Sequence, residues 1–238
     1  MKNSLQILYK DSDIVVAVKP CGILSQSDLT GDEAMPEILS EHLKMQIYPV
    51  HRLDRAVGGV MVFACHTKAA SKLGHQINED GFVKEYLTVV HGVPENETGE
   101  YCDFLRHDPM KNRTEVLQHP DKHAKPARLS YRLLAKTERE ETLSLLLIRL
   151  HSGRTHQIRT QLSFRGMPIA GDGKYGAHDR CGIGLWACRL SFFHPTSGKK
   201  MTFSYMPEMS APWSFFSCED MKIQNISHAA CGGGEELL

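Results

Sequence analysis

The stretch Gly58-Gly59-Val60-Met61-Val62-Phe63-Ala64 decides the fold, because five consecutive apolar residues follow a pair of glycines. A run that is apolar on both faces is typical of a strand in the middle of a sheet, where neither face meets water. We therefore predict a central strand over residues 60–64, with further strands beside it and helices flanking the sheet.

The segments before this strand predict two strands joined by a tight turn. Ile7-Leu8-Tyr9 and Ile14–Val18 are short apolar runs, and Asp11-Ser12-Asp13 between them consists of turn-forming residues. Lys19-Pro20-Cys21-Gly22 ends the second strand, since proline cannot donate to a ladder and glycine permits a sharp turn.

Three segments predict helices. The first is short and covers residues 35–45. The second follows Thr67, a good N-cap residue, and its inward face carries apolar residues at helical spacing: Ala69, Ala70, Leu73 and Ile77. The third covers residues 155–164, with Ile158 and Leu162 inward, and Gly166 is a natural stop.

Strands outnumber helices in the rest of the chain. Residues 94–125 are polar and weakly periodic, which indicates long loops with short strands. The predicted strands are 83–90, 129–134, 143–150, 185–193 and 200–205. This pattern predicts an α+β fold, a single domain over residues 1–215 built on a mixed, largely antiparallel sheet. Residues 216–238 are expected to form a partly disordered tail.

Composition excludes several classes of protein. Seven cysteines without a Cys-x-x-Cys pair argue against a disulfide framework and a zinc site, and His-Glu-x-x-His does not occur. We therefore expect no metal, and the absence of phosphate-binding glycine motifs predicts no cofactor. No apolar run approaches the roughly 18–20 residues of a membrane span. Without a secretory signal, a cytoplasmic location is expected.

The charge distribution leaves nucleic-acid binding open. The 28 basic and 28 acidic residues cancel, which counts mildly against an RNA-binding protein. The basic residues nevertheless cluster in two places, which predicts a locally basic cleft: Arg149, Arg154, Arg159 and Arg165, and Lys111, Arg113, Lys122, Lys125 and Arg128.

Three residues are candidates for a catalytic site, although each is weak evidence on its own. Asp54 lies in His51-Arg52-Leu53-Asp54-Arg55, where an aspartate could simply cap a turn or form a surface ion pair. Tyr86 falls on the face of its strand that Lys84 and Thr88 share, so we expect it to be displayed with polar residues. Arg154 starts an arginine-rich helix.

In combination these segments resemble the RluA family of pseudouridine synthases. The similarity runs from about residue 5 to residue 206, in the family's order and spacing. The motifs that carry it are the Lys19–Gly22 turn, His51–Asp54 with Gly59, Lys84-Glu85-Tyr86, His151–Arg159 and Gly166–Gly176. Two departures from the family are expected: Val57-Gly58 stands where the family commonly has Thr-Ser, and the catalytic pattern starts almost at Met1, where many members carry an RNA-binding module. The first removes hydroxyl contacts to the substrate.

The resemblance implies an isomerase that converts uridine in rRNA or tRNA to pseudouridine. It makes Asp54 the nucleophile, Arg154 the basic residue beside it, and Tyr86 the residue that stacks on the flipped base. RNA is the expected partner, and a monomer is the expected state. The candidates for RNA contacts are Arg52, Arg55, His156, Gln157 and Arg159.

Two other functions remain open from the sequence. An RNA-binding protein of this fold could have lost catalysis, although Asp54, Tyr86 and Arg154 are all present. A hydrolase with a carboxylate nucleophile would need a second carboxylate, and Asp172 reads as a turn residue. The products distinguish these functions: pseudouridine, nothing, or free base.

Overall fold

The computed structural model describes residues 5–28, 30–77, 79, 81–137 and 141–222, which form one sheet and three α-helices. The helices are α1 (Met35–Leu43), α2 (Thr67–Gln76) and α3 (Gln157–Phe164). The strands are β1 (Ile7–Lys10), β2 (Ile14–Lys19), β3 (Tyr48–Pro49), β4 (Gly58–Ala64), β5 (Val83–His91), β6 (Thr98–Asp108), β7 (Arg113–Leu117), β8 (Lys125–Lys136), β9 (Leu143–Leu150), β10 (Leu185–Phe193) and β11 (Lys200–Ser204).

The sheet is mixed and largely antiparallel, which confirms the predicted fold class. Its strand order is β1-β2-β4-β10-β5-β9-β8-β6-β7, with β3 paired to β4 and β11 paired to β10. Among the strands of the described residues, β4 and β10 form the parallel pair and the others run antiparallel. None of the helices in these ranges is long and apolar enough to cross a membrane.

Strand β4 is buried along its whole length, as its sequence predicts, but it begins at Gly58 and not at Val60. Gly58 and Gly59 are both needed for β10 to approach β4 closely. A Cβ on Gly59 would lie 2.3 Å from the Ala187 carbonyl oxygen, and Gly59 has a φ of +130°. A Cβ on Gly58 would lie 2.2 Å from the Trp186 ring, so a larger residue requires the tryptophan to move.

The two faces of the sheet bury different elements, because successive strand residues point in opposite directions. One face packs against α1 and α3, and its core includes Met61, Tyr86 and Ile148. The opposite face packs against α2 through one cluster and against the C-terminal segment through another. The first of these faces carries the pocket described below.

Three expectations from the sequence are corrected by the structure. His66, not Thr67, caps α2, since its Nδ1 accepts the Ala69 N–H at 3.1 Å. Residues 98–108 form the long strand β6, because β7 and β8 both pair with it, although only one of its residues is fully buried. Phe216 and Met221 are buried in the core although we assigned them to the tail. Residues 223–238 lie outside the described residues.

Candidate active site

Asp54 faces a pocket of about 210 Å³ on the α3 face of the sheet. We call it the Asp54 pocket and define it by three contributing segments. Residues 51–54 and Val57 come from the loop before β4, Lys84 and Tyr86 come from β5, and residues 153–159 come from the start of α3. This volume lies below the range of about 300–1,000 Å³ that is usual for ligand pockets, so the pocket suits a group as small as a single base.

The loop that carries Asp54 is held by the turn after β2. The Ser25 hydroxyl donates to the Leu53 carbonyl at 2.8 Å and accepts the Leu53 N–H at 2.9 Å. Lys19 is fully buried, and its ammonium donates to the Arg55 carbonyl at 3.2 Å and to two carbonyls of the turn. Burial lowers the pKa of Lys19 to about 8. The Lys19–Gly22 motif therefore positions the Asp54 loop.

Arg159 is the cation that pairs with Asp54. Its Nη1 lies 3.2 Å from an Asp54 carboxylate oxygen, while its Nε and Nη2 each donate to Asp172 at 2.7 Å. Asp172 is buried, and the Asp54 side chain keeps 18% of its surface exposed. The guanidinium therefore bridges two carboxylates: the buried Asp172 holds it in place, and it in turn orients the partly exposed Asp54.

This arrangement corrects the sequence-based assignment of Arg154. Arg154 is exposed, lines the mouth of the pocket and donates from Nε to the Pro126 carbonyl at 3.0 Å. Arg159 instead falls on the inward face of α3, beside Ile158 and three residues before Leu162. Helical periodicity could have identified it, but the sequence indicated neither the role of Asp172 nor its burial.

A chain of hydrogen bonds fixes the orientation of the His156 ring. The Thr114 N–H donates to the Tyr175 hydroxyl at 2.8 Å, and that hydroxyl lies 2.9 Å from His156 Nδ1. On the other side of the ring, His156 Nε2 lies 3.8 Å from an Asp54 carboxylate oxygen. Burial lowers the pKa of His156 to about 4, against an opposing effect of Asp54. The imidazole is neutral at physiological pH.

We expect His156 to make the free energy of unfolding depend on pH. The unfolded chain binds a proton as the pH falls through about 6.5, whereas the folded chain does so only near 4. Stability is therefore lost as the pH falls across this window, by roughly 1–2 kcal/mol between pH 6.5 and 5. Urea unfolding should show a smaller loss for His156→Gln. The exposed His119→Gln is the matched control, and equal losses in all three proteins would contradict the assignment.

Tyr86 is buried in the core, which corrects the expectation that it is displayed with polar residues. Its face of β5 is the one that α3 covers, so this face is internal even though it carries Lys84 and Thr88. Burial raises the pKa of Tyr86, and the nearby Asp54 carboxylate raises it further. The phenol is therefore protonated at neutral pH, and its ring lines the Asp54 pocket.

The predicted RNA-contacting residues separate into two groups. Arg52 is exposed at the pocket mouth, where no partner for it occurs in the described part of the chain. Arg55 donates to the Gly22 carbonyl and pairs with Asp32 at 2.6 Å. Gln157 and Arg159 are buried and hydrogen-bonded within the protein, so the structure gives them internal contacts.

A larger groove of about 1230 Å³ opens beside the Asp54 pocket and shares residues 153–155 with it. Three members of the predicted basic cluster line it: Lys111, Arg113 and Lys125. Arg128 instead forms an ion pair with Glu100 at 2.8 Å. The groove and the pocket mouth together form a basic cleft on a protein with no net charge.

Among the described residues, the group that most resembles a metal site lies outside the pocket. Asp11, Asp13 and His194 bring their ligand atoms within 4.8 Å of one another. His194 Nε2 lies 2.8 Å from an Asp11 oxygen, and the other Asp11 oxygen accepts two backbone N–H groups. These contacts tie the β1–β2 turn to the β10–β11 turn, which is a structural function.

Residues 13–164 match the family described as RNA pseudouridylate synthase. The chain belongs to this family. The predicted enzyme class, an isomerase acting on RNA, is thereby confirmed, as is the resemblance seen in the sequence.

Individual relatives agree with the family. The chain is 31% identical over 234 residues to an uncharacterized RNA pseudouridine synthase of Aquifex aeolicus, covering 90% of this chain and 71% of that protein. It is 31% identical over 221 residues to tRNA pseudouridine synthase C of Haemophilus ducreyi, covering 84% and 90%. For the same enzyme of Pectobacterium carotovorum, the match is 29% identical and covers 60% of the relative.

The fold is also shared with solved structures. Human RNA Pseudouridylate Synthase Domain Containing 1 superposes with a TM-score of 0.73 over 88% of this chain and 86% of that one. Human RNA Pseudouridylate Synthase Domain Containing 4 gives a TM-score of 0.69 over 88% and 90%. Sequence identities of 21% and 22% limit these similarities to the fold.

Proposed function

We propose that this chain converts a uridine in RNA to pseudouridine with Asp54 as its nucleophile. The observation that supports this most is the position of Asp54, a partly open carboxylate in a small pocket, held at 3.2 Å by Arg159. The guanidinium donates to the carboxylate and fixes its orientation. One such carboxylate suffices for covalent catalysis of this reaction.

The reaction breaks the bond between uracil N1 and ribose C1′, turns the uracil, and joins C5 to C1′. The proton lost from C5 is balanced by one gained at N1, so the overall change is an isomerisation. Asp54 assists the departure of uracil from C1′. Tyr86 holds the base between the two steps, because its phenol is protonated and its ring lines the pocket. The neutral His156 ring lies 3.8 Å from Asp54 and adds no second charge there.

A uridine in a folded RNA must leave its stack to enter the Asp54 pocket. Arg52 and Arg154 lie at the pocket mouth, where they can contact the RNA around the flipped nucleotide. The basic groove that continues from the mouth suits the flanking phosphates. Val57 lines the pocket where a hydroxyl was expected, so an apolar contact replaces a polar one.

The substrate is proposed to be tRNA or rRNA, and tRNA is the first to test because several relatives are named tRNA pseudouridine synthase C. The test is to map pseudouridine in both RNAs from cells with and without the gene. We expect one or a few tRNA positions to revert to uridine. Loss of pseudouridine from rRNA alone would identify rRNA as the substrate. No loss of pseudouridine from any RNA would contradict the proposal. The cytoplasmic location and the monomeric state stay predictions.

We expect Tyr86→Phe to retain measurable activity, because the ring that contacts the base is preserved. Tritium release from RNA labelled at uracil C5 measures this directly. Tyr86→Leu removes the ring and should lower the activity further, with about 1–3 kcal/mol of stacking lost. Complete inactivity of Tyr86→Phe with normal RNA binding would instead assign the hydroxyl to proton transfer.

A further inference from the structure

The Asp54 pocket contains one cation that the chemistry above does not use. Lys84 lies on β5 and lines the pocket. Within the described ranges of the chain, no carboxylate forms an ion pair with its ammonium and no hydrogen-bond acceptor contacts it. Burial lowers the pKa of Lys84. Lys84 is half-buried, and its Nζ is not among the fully buried atoms that lack a partner, so the ammonium is open to an anion that enters the pocket.

The neighbours of Lys84 leave its ammonium available. The Phe82 ring centroid lies 5.8 Å from Nζ. His51 is also close, and burial together with Lys84 lowers the pKa of His51 to about 3, so the imidazole is neutral. On a third side a Cβ built on Gly153 would lie 3.5 Å from Nζ. A side chain at position 153 would therefore cover the ammonium, and glycine leaves it open.

The position of Lys84 relative to Tyr86 defines what the anion can be. The two residues are neighbours on one face of β5, two positions and therefore about 7 Å apart along the strand. A single nucleotide spans such a distance between its base and its phosphate. The uracil is neutral when it enters, whereas the phosphate is always charged. Of the groups in such a nucleotide, the phosphate is therefore the one whose charge complements the ammonium.

We propose that Lys84 binds a backbone phosphate of the flipped uridine, while the base of that nucleotide lies against Tyr86. This inference rests on the proposed function, since it assumes that RNA enters the Asp54 pocket. Arg52 and Arg154 at the mouth are exposed and serve the neighbouring phosphates. Lys84 is the less exposed cation, so its contact is the one that specifies how deeply the nucleotide enters.

The first test compares wild type, Lys84→Met and Lys84→Arg on tRNA from cells that lack the gene, labelled with tritium at uracil C5. We expect Lys84→Met to lower kcat/KM about 10- to 100-fold and to reduce the slope of log binding constant against log salt by about 0.7–0.9. Lys84→Arg should keep that slope. Lys200→Met, an exposed lysine of β11 outside the pocket, is the matched control and should change neither quantity.

A second test locates the phosphate. Once the target uridine is mapped, RNA carrying one uncharged methylphosphonate on either side of it is assayed with both proteins. At one of the two linkages, the methylphosphonate should lower the kcat/KM of wild type as much as Lys84→Met does. The same RNA should lower the kcat/KM of Lys84→Met little further. Equal additional losses at both linkages would overturn the proposal and assign Lys84 to the base.

Thermal unfolding separates a structural function from a binding one. Removal of an unpaired, partly buried charge should leave the Tm of Lys84→Met equal to or above that of wild type. A lower Tm, with reduced activity and an unchanged salt slope, would overturn the inference. If wild type binds RNA with a slope that depends on Lys84 but releases no tritium, only the proposed function fails. If wild type binds no RNA, both fail.

Discussion

Replacement of Asp54 by asparagine is expected to abolish pseudouridine formation, lowering kcat by at least about 10⁴-fold, as loss of a nucleophile does in other enzymes with covalent catalysis. Asparagine has the same shape and can still accept a hydrogen bond from Arg159, which lies 3.2 Å from the carboxylate. Only the negative charge and the nucleophilic oxygen are lost. The fold and the affinity for RNA should therefore change little.

Tritium release from uracil C5, together with chromatographic detection of pseudouridine, measures the effect. Asp32→Asn is the matched control, because Asp32 is an exposed aspartate that contacts the same loop through Arg55. It should retain activity within a few-fold of wild type. Substantial turnover by Asp54→Asn would remove Asp54 from the chemistry. The same product assay separates the other two functions, since a hydrolase releases free uracil and a protein without catalysis releases nothing.

Replacement of Arg159 by methionine is expected to cause the largest loss of stability, about 3–5 kcal/mol. The guanidinium donates to both oxygens of Asp172, which is 2% exposed, and its removal leaves that carboxylate buried without a counter-charge. It also removes the partner of Asp54 and the cation that lies 4.9 Å from the Tyr175 ring centroid. Activity should therefore fall together with stability.

A double-mutant cycle keeps this expectation testable even if Arg159→Met does not fold. Asp172→Asn removes the stranded charge, so the double variant Arg159→Met/Asp172→Asn should be more stable than Arg159→Met alone. Arg154→Ala is the control from the same segment and should change the free energy of unfolding by less than about 0.5 kcal/mol, since Arg154 is exposed. Urea unfolding measures all of these. The assignment is wrong if Arg154→Ala proves the more damaging substitution.

The sheet class was predictable because it depends on local patterns. The apolar run of β4 shows that neither face of this strand meets water, and the residues carry this information directly. The extent of β6 was missed because only one of its residues is fully buried, so no continuous apolar run marks it. Pairing with β7 and β8 makes it a strand, and pairing between distant segments leaves little trace in composition.

The site was predictable in part for the same reason. Asp54 and Tyr86 were found through motifs that recur in order along the chain, and the structure brings both of them to one pocket. The cation beside Asp54 was misassigned because Arg154 and Arg159 lie in one motif, only five residues apart. Which of the two points inward depends on where α3 begins, and a motif does not contain that information.

By itself, the sequence determined the fold class, the family and the segments that contribute to the site, since each of these is recorded in residue order and spacing. Tertiary structure alone decided that Arg159 holds Asp54, that Asp172 is buried behind it, and that the ammonium of Lys84 has no partner within the described chain. The physical reason is that the energy of a charge depends on its burial and on its neighbours. Asp54 and Arg159 are 105 positions apart in the chain and meet only when α3 packs against the sheet.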